Sequence, residues 1–370
     1  MHIPKYTARV SIILASLVVV LTVVYREVGN WNPDRALQNQ SSPLEQLEAS
    51  SKVPSNEASK LEMLCQNFYQ MVCDDSKVVT DPTGSVHPDI KGEVEALRLY
   101  EMILHKHPNW SNEQIDVELV NRIYTPKRRE MLEDIYRWIQ ARMIRFIEKQ
   151  TVANFPSKLK KDLVERIKSI KLEIPPPASL YANEPDLFTK NDVYYEGISK
   201  ERRVIRVGGA YLLSAKSWFN RVFTLAHELS HAIDPCELSH QISQMRGYQR
   251  LLSCFHDNQL ISKEQLEDNC RSNQFVGELF ADWLATQIAI QAVELYSTKF
   301  KNDEKMANSI INSVKDLCHQ ESWLAHDTKS HPPPKDRIEK IYGEHPSLQR
   351  LLGCSTNKIK HYYCSFEEKK

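Results

Sequence analysis

The chain has 370 residues, of which 41% are hydrophobic and 26% charged, with 18 prolines, 10 glycines and 8 cysteines. This composition is that of a folded protein, and it excludes collagen, a largely disordered chain and a multi-span membrane protein. Lys+Arg and Asp+Glu both number 48, so the formal net charge is zero and no nucleic-acid partner is expected. The length is enough for two globular units or for one large one.

The first 60 residues are predicted to be a membrane-targeting segment and a linker. Residues 1–9 carry basic side chains and are expected to stay in the cytoplasm, and residues 10–25 are an apolar run. At about 1.5 Å per residue this run spans roughly 24 Å, slightly less than a bilayer core. It is therefore either a signal anchor or a cleaved signal peptide. Residues 26–60, rich in Ser, Asn, Gln, Glu and Pro, are predicted to be a stalk.

All eight cysteines follow this segment, the first at Cys65. An even number of cysteines behind a targeting segment predicts disulfide bonds in an oxidising compartment. We therefore expect an extracytoplasmic protein, either a single-pass type II membrane protein or a secreted one. The alternative is a set of free, buried thiols in a cytosolic protein, and the N-terminal segment argues against it.

The rest of the chain has mainly helical patterns. Apolar residues recur at helical spacing over residues 91–107, 126–150 and 156–172. The prolines of residues 173–179 end this run, and we place a boundary there between a helical part, residues 61–178, and a second part, residues 179–370. Strands are predicted only at residues 192–195 and 203–213. The fold class expected is therefore α+β, mainly helical, with a small sheet.

A predicted helix over residues 218–233 carries the sequence HELSH at residues 227–231. Histidines four residues apart lie one turn apart on one face, so His227 and His231 can reach one metal ion at about 2.0–2.1 Å. Glu228 then lies beside the metal, where a base acting on water is needed. The alternative is a pair of surface histidines, but the surrounding helix is apolar and its polar groups need partners. The pattern predicts a zinc site.

A third ligand is expected from the apolar helix predicted over residues 274–295. This helix carries Glu278 and Asp282 four residues apart on one face. Two buried carboxylates are costly unless they are compensated, and a zinc ion with two histidine ligands would compensate them. Glu278 is then the third ligand, and Asp282 accepts a hydrogen bond from a liganding imidazole. The alternative is an acidic pair favoured by the N-terminal helix dipole, which explains Glu278 better than Asp282.

Read together, HELSHAIDP and GELFADWLA resemble the neprilysin family of zinc endopeptidases, which includes the endothelin-converting enzymes. LCQNFYQMVCD at residues 64–74 is similar to the opening Cys-x-x-Phe-[Phe/Tyr] segment of that family. HPPPKDR at residues 331–337 is similar to its late His-x-Pro-x-x-x-Arg segment, and Cys354 and Cys364 match two cysteines near its C-terminus. The resemblance implies a zincin-type catalytic domain of the gluzincin class with a small edge sheet. Family members are usually nearly twice as long, so the helical lid subdomain must be reduced.

The resemblance also implies roles for individual residues. His331 would stabilise the transition state, since one aimed donor beside zinc can hold the oxyanion. Arg337 would hold the substrate backbone, as a guanidinium can bind a carbonyl with two donors. Without a zinc site, the simpler interpretation of this segment is a proline-rich loop with a solvated arginine. At the start of the substrate-binding edge strand, either Asp192 replaces the amide that is usual in the family or Asn191 supplies that amide with a shifted register.

Residue-by-residue matching to the family implies four disulfide bonds, Cys65–Cys354, Cys73–Cys318, Cys254–Cys364 and, as an additional bond, Cys236–Cys270. The activity implied is zinc-dependent hydrolysis of oligopeptides on the N-terminal side of hydrophobic residues, with one Zn²⁺ per chain. Peptides are the expected partners, together with the membrane through the N-terminal helix. The alternative function is a peptidase fold that binds peptides without turnover.

Overall fold

The computed structural model describes residues 63–73, 91–177, 185–197, 202–214, 216–238, 245–268, 275–296, 303–319, 331–354 and 363–366. These residues are mainly helical with one small sheet, which confirms the predicted mainly helical α+β class. The predicted segments 1–9, 10–25 and 26–60 lie outside the described residues, as does the boundary predicted at residues 178 and 179. Within the described part of the chain, no helix is both long and apolar enough to cross a membrane.

The principal α-helices are numbered in chain order as α1 Phe68–Cys73, α2 Lys91–Lys106, α3 Asn112–Ile123, α4 Pro126–Lys149, α5 Ser157–Ser169, α6 Gly209–Leu213, α7 Trp218–Ser230, α8 Arg246–Asp257, α9 Lys263–Asp268, α10 Phe275–Tyr296, α11 Asp303–Val314 and α12 Pro346–Leu351, and residues 63–66 are also helical. Short 3₁₀ turns cover Pro185–Phe188, His231–Ile233 and Lys315–His319, and a π-helix covers Asp336–Gly343. The strands are β1 Lys171–Glu173, β2 Val193–Gly197 and β3 Arg203–Val207.

The sheet has the order β1-β3-β2. Strand β1 runs parallel to β3, and β2 runs antiparallel to it, with Tyr195 opposite Ile205 and Val193 opposite Val207. Strand β1 was predicted to be the end of a helix, and that prediction is wrong. The helix ends at Ser169, because the next residues bond along β3 instead of continuing the helical ladder.

The predicted strand over residues 203–213 ends early, at Val207, and helix α6 follows it. A pair of glycines makes this change of direction possible. A Cβ atom on Gly208 would lie 2.2 Å from the carbonyl oxygen of Lys190, and one on Gly209 would lie 2.5 Å from that of Phe188. The chain therefore turns where only glycine fits.

Helices α7 and α10 pack against each other at the centre of the described core. In α7 and the turn after it, Val222, Ala226, Leu229 and Ile233 are fully buried, as their helical spacing predicts. Helix α10 is buried on nearly all sides, since apolar side chains surround it. The polar side chains of these two helices are therefore held inside the protein, where each needs a partner.

Three of the implied disulfide bonds are present: Cys65–Cys354, Cys73–Cys318 and Cys254–Cys364. Their Cα atoms are 5.5, 5.5 and 5.6 Å apart, within the usual range for a disulfide. Cys236 is also disulfide-bonded, but its proposed partner Cys270 lies outside the described residues. Disulfides persist in oxidising compartments, which indicates an extracytoplasmic environment for this part of the chain.

Candidate metal centre

Helix α7 and the 3₁₀ turn that follows it position His227, Glu228 and His231. The helix begins after Ser217, whose side chain accepts a hydrogen bond from the backbone N–H of Asn220 at 3.1 Å. His227 is buried, and the side chains of Glu228 and His231 are each 14% exposed. His227 and His231 face Glu278 of helix α10, whereas Glu228 contacts the backbone of strand β2.

Helix α10 supplies two buried acids one turn apart, Glu278 and Asp282. The residue before Glu278 is a glycine, and it lets the helix approach the end of the 3₁₀ turn. A Cβ atom on Gly277 would lie 3.0 Å from Cys236 Sγ and 3.1 Å from Asp234 Oδ2. A residue larger than glycine at position 277 would have to displace Asp234, whose carboxylate contacts His231.

Each of the two motif histidines is oriented by a carboxylate. His227 Nδ1 lies 2.9 Å from Asp282 Oδ1, as predicted for Asp282, and His231 Nδ1 lies 2.9 Å from Asp234 Oδ2. A carboxylate on Nδ1 favours the tautomer with its proton there, so Nε2 keeps a lone pair for a metal ion. The sequence analysis did not identify Asp234. The available signal was an acid three residues after the second motif histidine.

The Nε2 atoms of three histidines converge on Glu278. His227 Nε2 lies 3.1 Å and His331 Nε2 3.0 Å from Glu278 Oε2, and His231 Nε2 lies 3.7 Å from Oε1. The described residues contain one group whose potential ligand atoms all lie within 4.8 Å of one another, namely His227, Glu278 and His331. The predicted ligand His231 is not a member of this group. The structure thus brings two of the predicted ligands together with the predicted transition-state donor. His331 Nε2 lies closer to the Glu278 carboxylate, at 3.0 Å, than His231 Nε2 does, at 3.7 Å.

Glu228 lies beside this cluster, with Oε1 4.0 Å from His227 Nε2. Its other oxygen accepts a hydrogen bond from the backbone N–H of Tyr195 in strand β2, at 2.8 Å. Burial raises the pKa of Glu228 to about 7. A carboxyl group with a pKa near neutrality can both take and return a proton, as a general base and acid must.

The centre carries an excess of negative charge. Its carboxylates are Glu228, Asp234, Glu278 and Asp282, and they outnumber the two groups that oppose them, the guanidinium of Arg337 and the imidazole of His227. Burial disfavours charge on His227, but the hydrogen bonds that the ring donates to Asp282 and Glu278 outweigh burial and raise the pKa of this imidazole to about 10. A divalent cation among these nitrogen and oxygen donors would supply the missing positive charge. The residues therefore fit a zinc ion by charge and by ligand type.

Arg337 is bound to Asp282 by two hydrogen bonds, from Nε to Oδ2 at 2.5 Å and from Nη2 to Oδ1 at 2.7 Å. The side chains are 2% and 1% exposed, so this is a buried ion pair. Asp282 therefore joins His227 to Arg337, a link that the sequence analysis did not foresee. The role of Arg337 toward a peptide stays a prediction.

The two candidates at the start of β2 point in different directions. Asn191 donates from Nδ2 to Glu93 of helix α2 at 3.2 Å, whereas Asp192 Oδ1 accepts from the N–H of Val193 at 2.8 Å. Asp192 is accessible to solvent, but the protein around it partly desolvates its carboxyl group and raises the pKa.

Comparison with known proteins identifies no matching family model, no matching curated protein and no matching solved structure.

Proposed function

We propose that this protein is a zinc-dependent endopeptidase of the neprilysin type, built on a zincin fold. One observation carries the proposal. The two histidines of the HELSH motif have their Nδ1 atoms held by Asp282 and Asp234, and their Nε2 atoms face Glu278. Histidines oriented by carboxylates around a third ligand are typical of catalytic zinc sites, and folding alone does not require this arrangement.

The residues of the centre would have separate roles in peptide hydrolysis. His227, His231 and Glu278 would hold zinc, which, when bound, polarises the scissile carbonyl and lowers the pKa of water. Glu228 would accept the proton of the attacking water and pass it to the leaving amine, in keeping with its pKa near neutrality.

His331 stands on the same side of Glu278 as His227, and its side chain is 35% exposed. From that position it would donate a hydrogen bond to the oxyanion that forms on the peptide carbonyl. Asp282 would fix both His227 and Arg337, so that ligand geometry and substrate contact depend on one carboxylate. Strand β2 would lie alongside the bound peptide.

The same proposal includes the finer expectations about substrate and location. Oligopeptides would be cut on the N-terminal side of hydrophobic residues, as the family resemblance implies. Residues 10–25 would either anchor the protein in a membrane or direct its secretion, and the disulfide bonds agree with either location.

The test is digestion of a mixed peptide library by the purified protein, read by mass spectrometry, beside its Glu228→Gln variant. We expect the wild type to cleave and the variant to lose activity by about a hundredfold or more with its zinc content unchanged. Glu267→Gln, on the exposed Lys263–Glu267 pair of α9, is the control and should cleave normally.

Two results would contradict the proposal. Zinc-loaded wild-type protein that cleaves no peptide would favour a peptide-binding module without turnover. Full activity in the Glu228→Gln variant would show that another group is the base.

A further inference from the structure

Strand β2 lies at the edge of the described sheet, next to the candidate metal centre. In an antiparallel pair, alternate residues direct their N–H and C=O groups toward the partner strand, and the residues between them direct these groups away. Gly208 donates its N–H to the carbonyl of Asp192 at 2.9 Å, so the even-numbered residues face β3. Val193 and Tyr195 therefore direct their backbone groups outward, to the side where a peptide could add as a further strand.

Carboxylates already bind the outward N–H groups of both residues. The N–H of Tyr195 donates to Glu228 Oε2 at 2.8 Å, and that of Val193 donates to Asp192 Oδ1 at 2.8 Å. A peptide carbonyl that approached Val193 would meet the Asp192 carboxylate, which repels it, instead of a free donor. At this end of the strand, the Asp192 carboxylate thus attracts hydrogen-bond donors and positive charge.

The charge of Asp192 is only partly balanced by its neighbours. Lys216 is the cation that faces it, but the ammonium group of Lys216 is bound to Asp316. His227 and His331 face it from the centre. Asp192 is exposed to solvent, so its carboxylate is accessible to a peptide that adds alongside β2.

Strand geometry indicates which residue of a bound peptide would lie next to Asp192. Glu228 binds the N–H of Tyr195, so the scissile bond is expected opposite Tyr195. Val193 lies two residues away, or about 7 Å along the strand. An antiparallel peptide, which forms the more stable pairing, would place its residues after the scissile bond on the Val193 side.

We propose that Asp192 is a specificity-determining residue that selects peptides with lysine or arginine at the second position after the scissile bond. The inference rests on the proposed peptidase function and adds the substrate class to it. An ammonium or guanidinium group there would bind the carboxylate, and arginine could do so with two donors. A glutamate, or a free C-terminal carboxylate, would be rejected by like charge, so that cleavage would require the chain to continue.

The test uses four peptides that differ only at this position, with lysine, arginine, glutamine or glutamate, and the full-length protein loaded with zinc. Asp192→Asn keeps an oxygen that can accept from Val193 N–H and removes the charge. We expect the wild type to show kcat/KM at least about tenfold higher for lysine than for glutamate, and Asp192→Asn to reduce this ratio to about two or less. Asp257→Asn, an exposed acid on α8, removes the same charge elsewhere and should leave the ratio as in the wild type.

Binding separates this inference from the proposed function. Dissociation constants of the same peptides are measured with Glu228→Gln, with and without Asp192→Asn. If the wild type cleaves none of the peptides, but Glu228→Gln binds the lysine peptide more tightly and loses that preference with Asp192→Asn, the peptidase is contradicted and the role of Asp192 is supported. Equal binding of the lysine and glutamate peptides, or an unchanged preference in Asp192→Asn, would overturn the inference even if the protein cleaves peptides.

Discussion

Helix α10 contacts two buried histidines, one near its N-terminus and one near its middle, and their surroundings are opposite in character. Near its N-terminus, Glu278 and Asp282 bind His227, whose pKa is raised to about 10 despite its burial. Further along, Gln287 binds His345, whose pKa burial lowers to about 3. Both imidazoles are buried, so the difference comes from the neighbours and not from exposure.

His345 shows what a buried histidine needs for folding alone. Its Nδ1 accepts the N–H of Ser347 at 3.2 Å and caps helix α12, and its Nε2 lies 3.1 Å from Gln287 Oε1. One backbone donor and one amide satisfy the neutral ring. The acids around His227 go well beyond that requirement. These buried carboxylates destabilise the folded protein unless a cation compensates their charge, and a bound metal ion is the simplest explanation for their presence.

Among the substitutions that test the difference between the His227 and His345 sites, Asp282→Ala should have the largest effect on stability. It removes the carboxylate of a buried ion pair and leaves the guanidinium of Arg337 without its partner. We expect the free energy of unfolding in urea to fall by about 3–5 kcal/mol. The control is Glu165→Ala, on the exposed Lys168–Glu165 pair, which should cost less than about 1 kcal/mol. Similar losses in the two variants would show that the Asp282–Arg337 pair is not buried.

His345→Gln should alter the pH dependence of stability. Unfolded His345 binds a proton below about pH 6.5, but the folded protein keeps it neutral down to about pH 3. The unfolded state therefore binds more protons in this window, and the group costs stability as the pH falls through it. We expect about 2 kcal/mol of the loss between pH 7.5 and pH 5 to disappear in the variant.

The measurement is urea unfolding at a series of pH values. His105→Gln, an exposed residue at the end of α2, serves as the control and should follow the wild type. An unchanged slope in His345→Gln would mean that this ring titrates normally in the folded protein.

Asp234→Asn should have the smallest effect and tests the less obvious acid of the centre. The amide oxygen can still accept from His231 Nδ1, so the variant loses charge but keeps the hydrogen bond. We expect zinc to bind about tenfold more weakly, as measured by competition with a chelator. Unchanged zinc affinity would show that the charge of Asp234 does not act on the metal centre. Its role would then be limited to accepting the N–H of Glu237 at Oδ1, at 2.7 Å.

The helical half of the centre could be predicted from the sequence because helix geometry is regular. His227 and His231 are four residues apart, as are Glu278 and Asp282, so each pair shares a face whatever the rest of the fold does. The apolar character of both helices also predicted that they are buried. These local rules were sufficient to identify which side chains share a buried face on each helix.

The remaining contacts depend on long-range packing, which spacing does not encode. Asp282 and Arg337 are 55 residues apart in sequence, and no periodicity connects them. Asp234 was missed because α7 ends at Ser230, and the 3₁₀ turn after it brings this acid back toward His231. The choice between Asn191 and Asp192 depended on strand register, which a shift of one residue reverses.

Zinc titration by calorimetry of the metal-stripped protein, beside Glu278→Gln and Gln287→Glu, tests the central claim most directly. Glu278→Gln removes a negative charge beside His227, and Gln287→Glu adds a negative charge beside His345. We expect one zinc ion per chain in the wild type and in Gln287→Glu, with binding lost or greatly weakened in Glu278→Gln. Wild-type protein that binds no zinc, or Glu278→Gln that binds it as tightly as the wild type, would contradict the assignment of the metal centre.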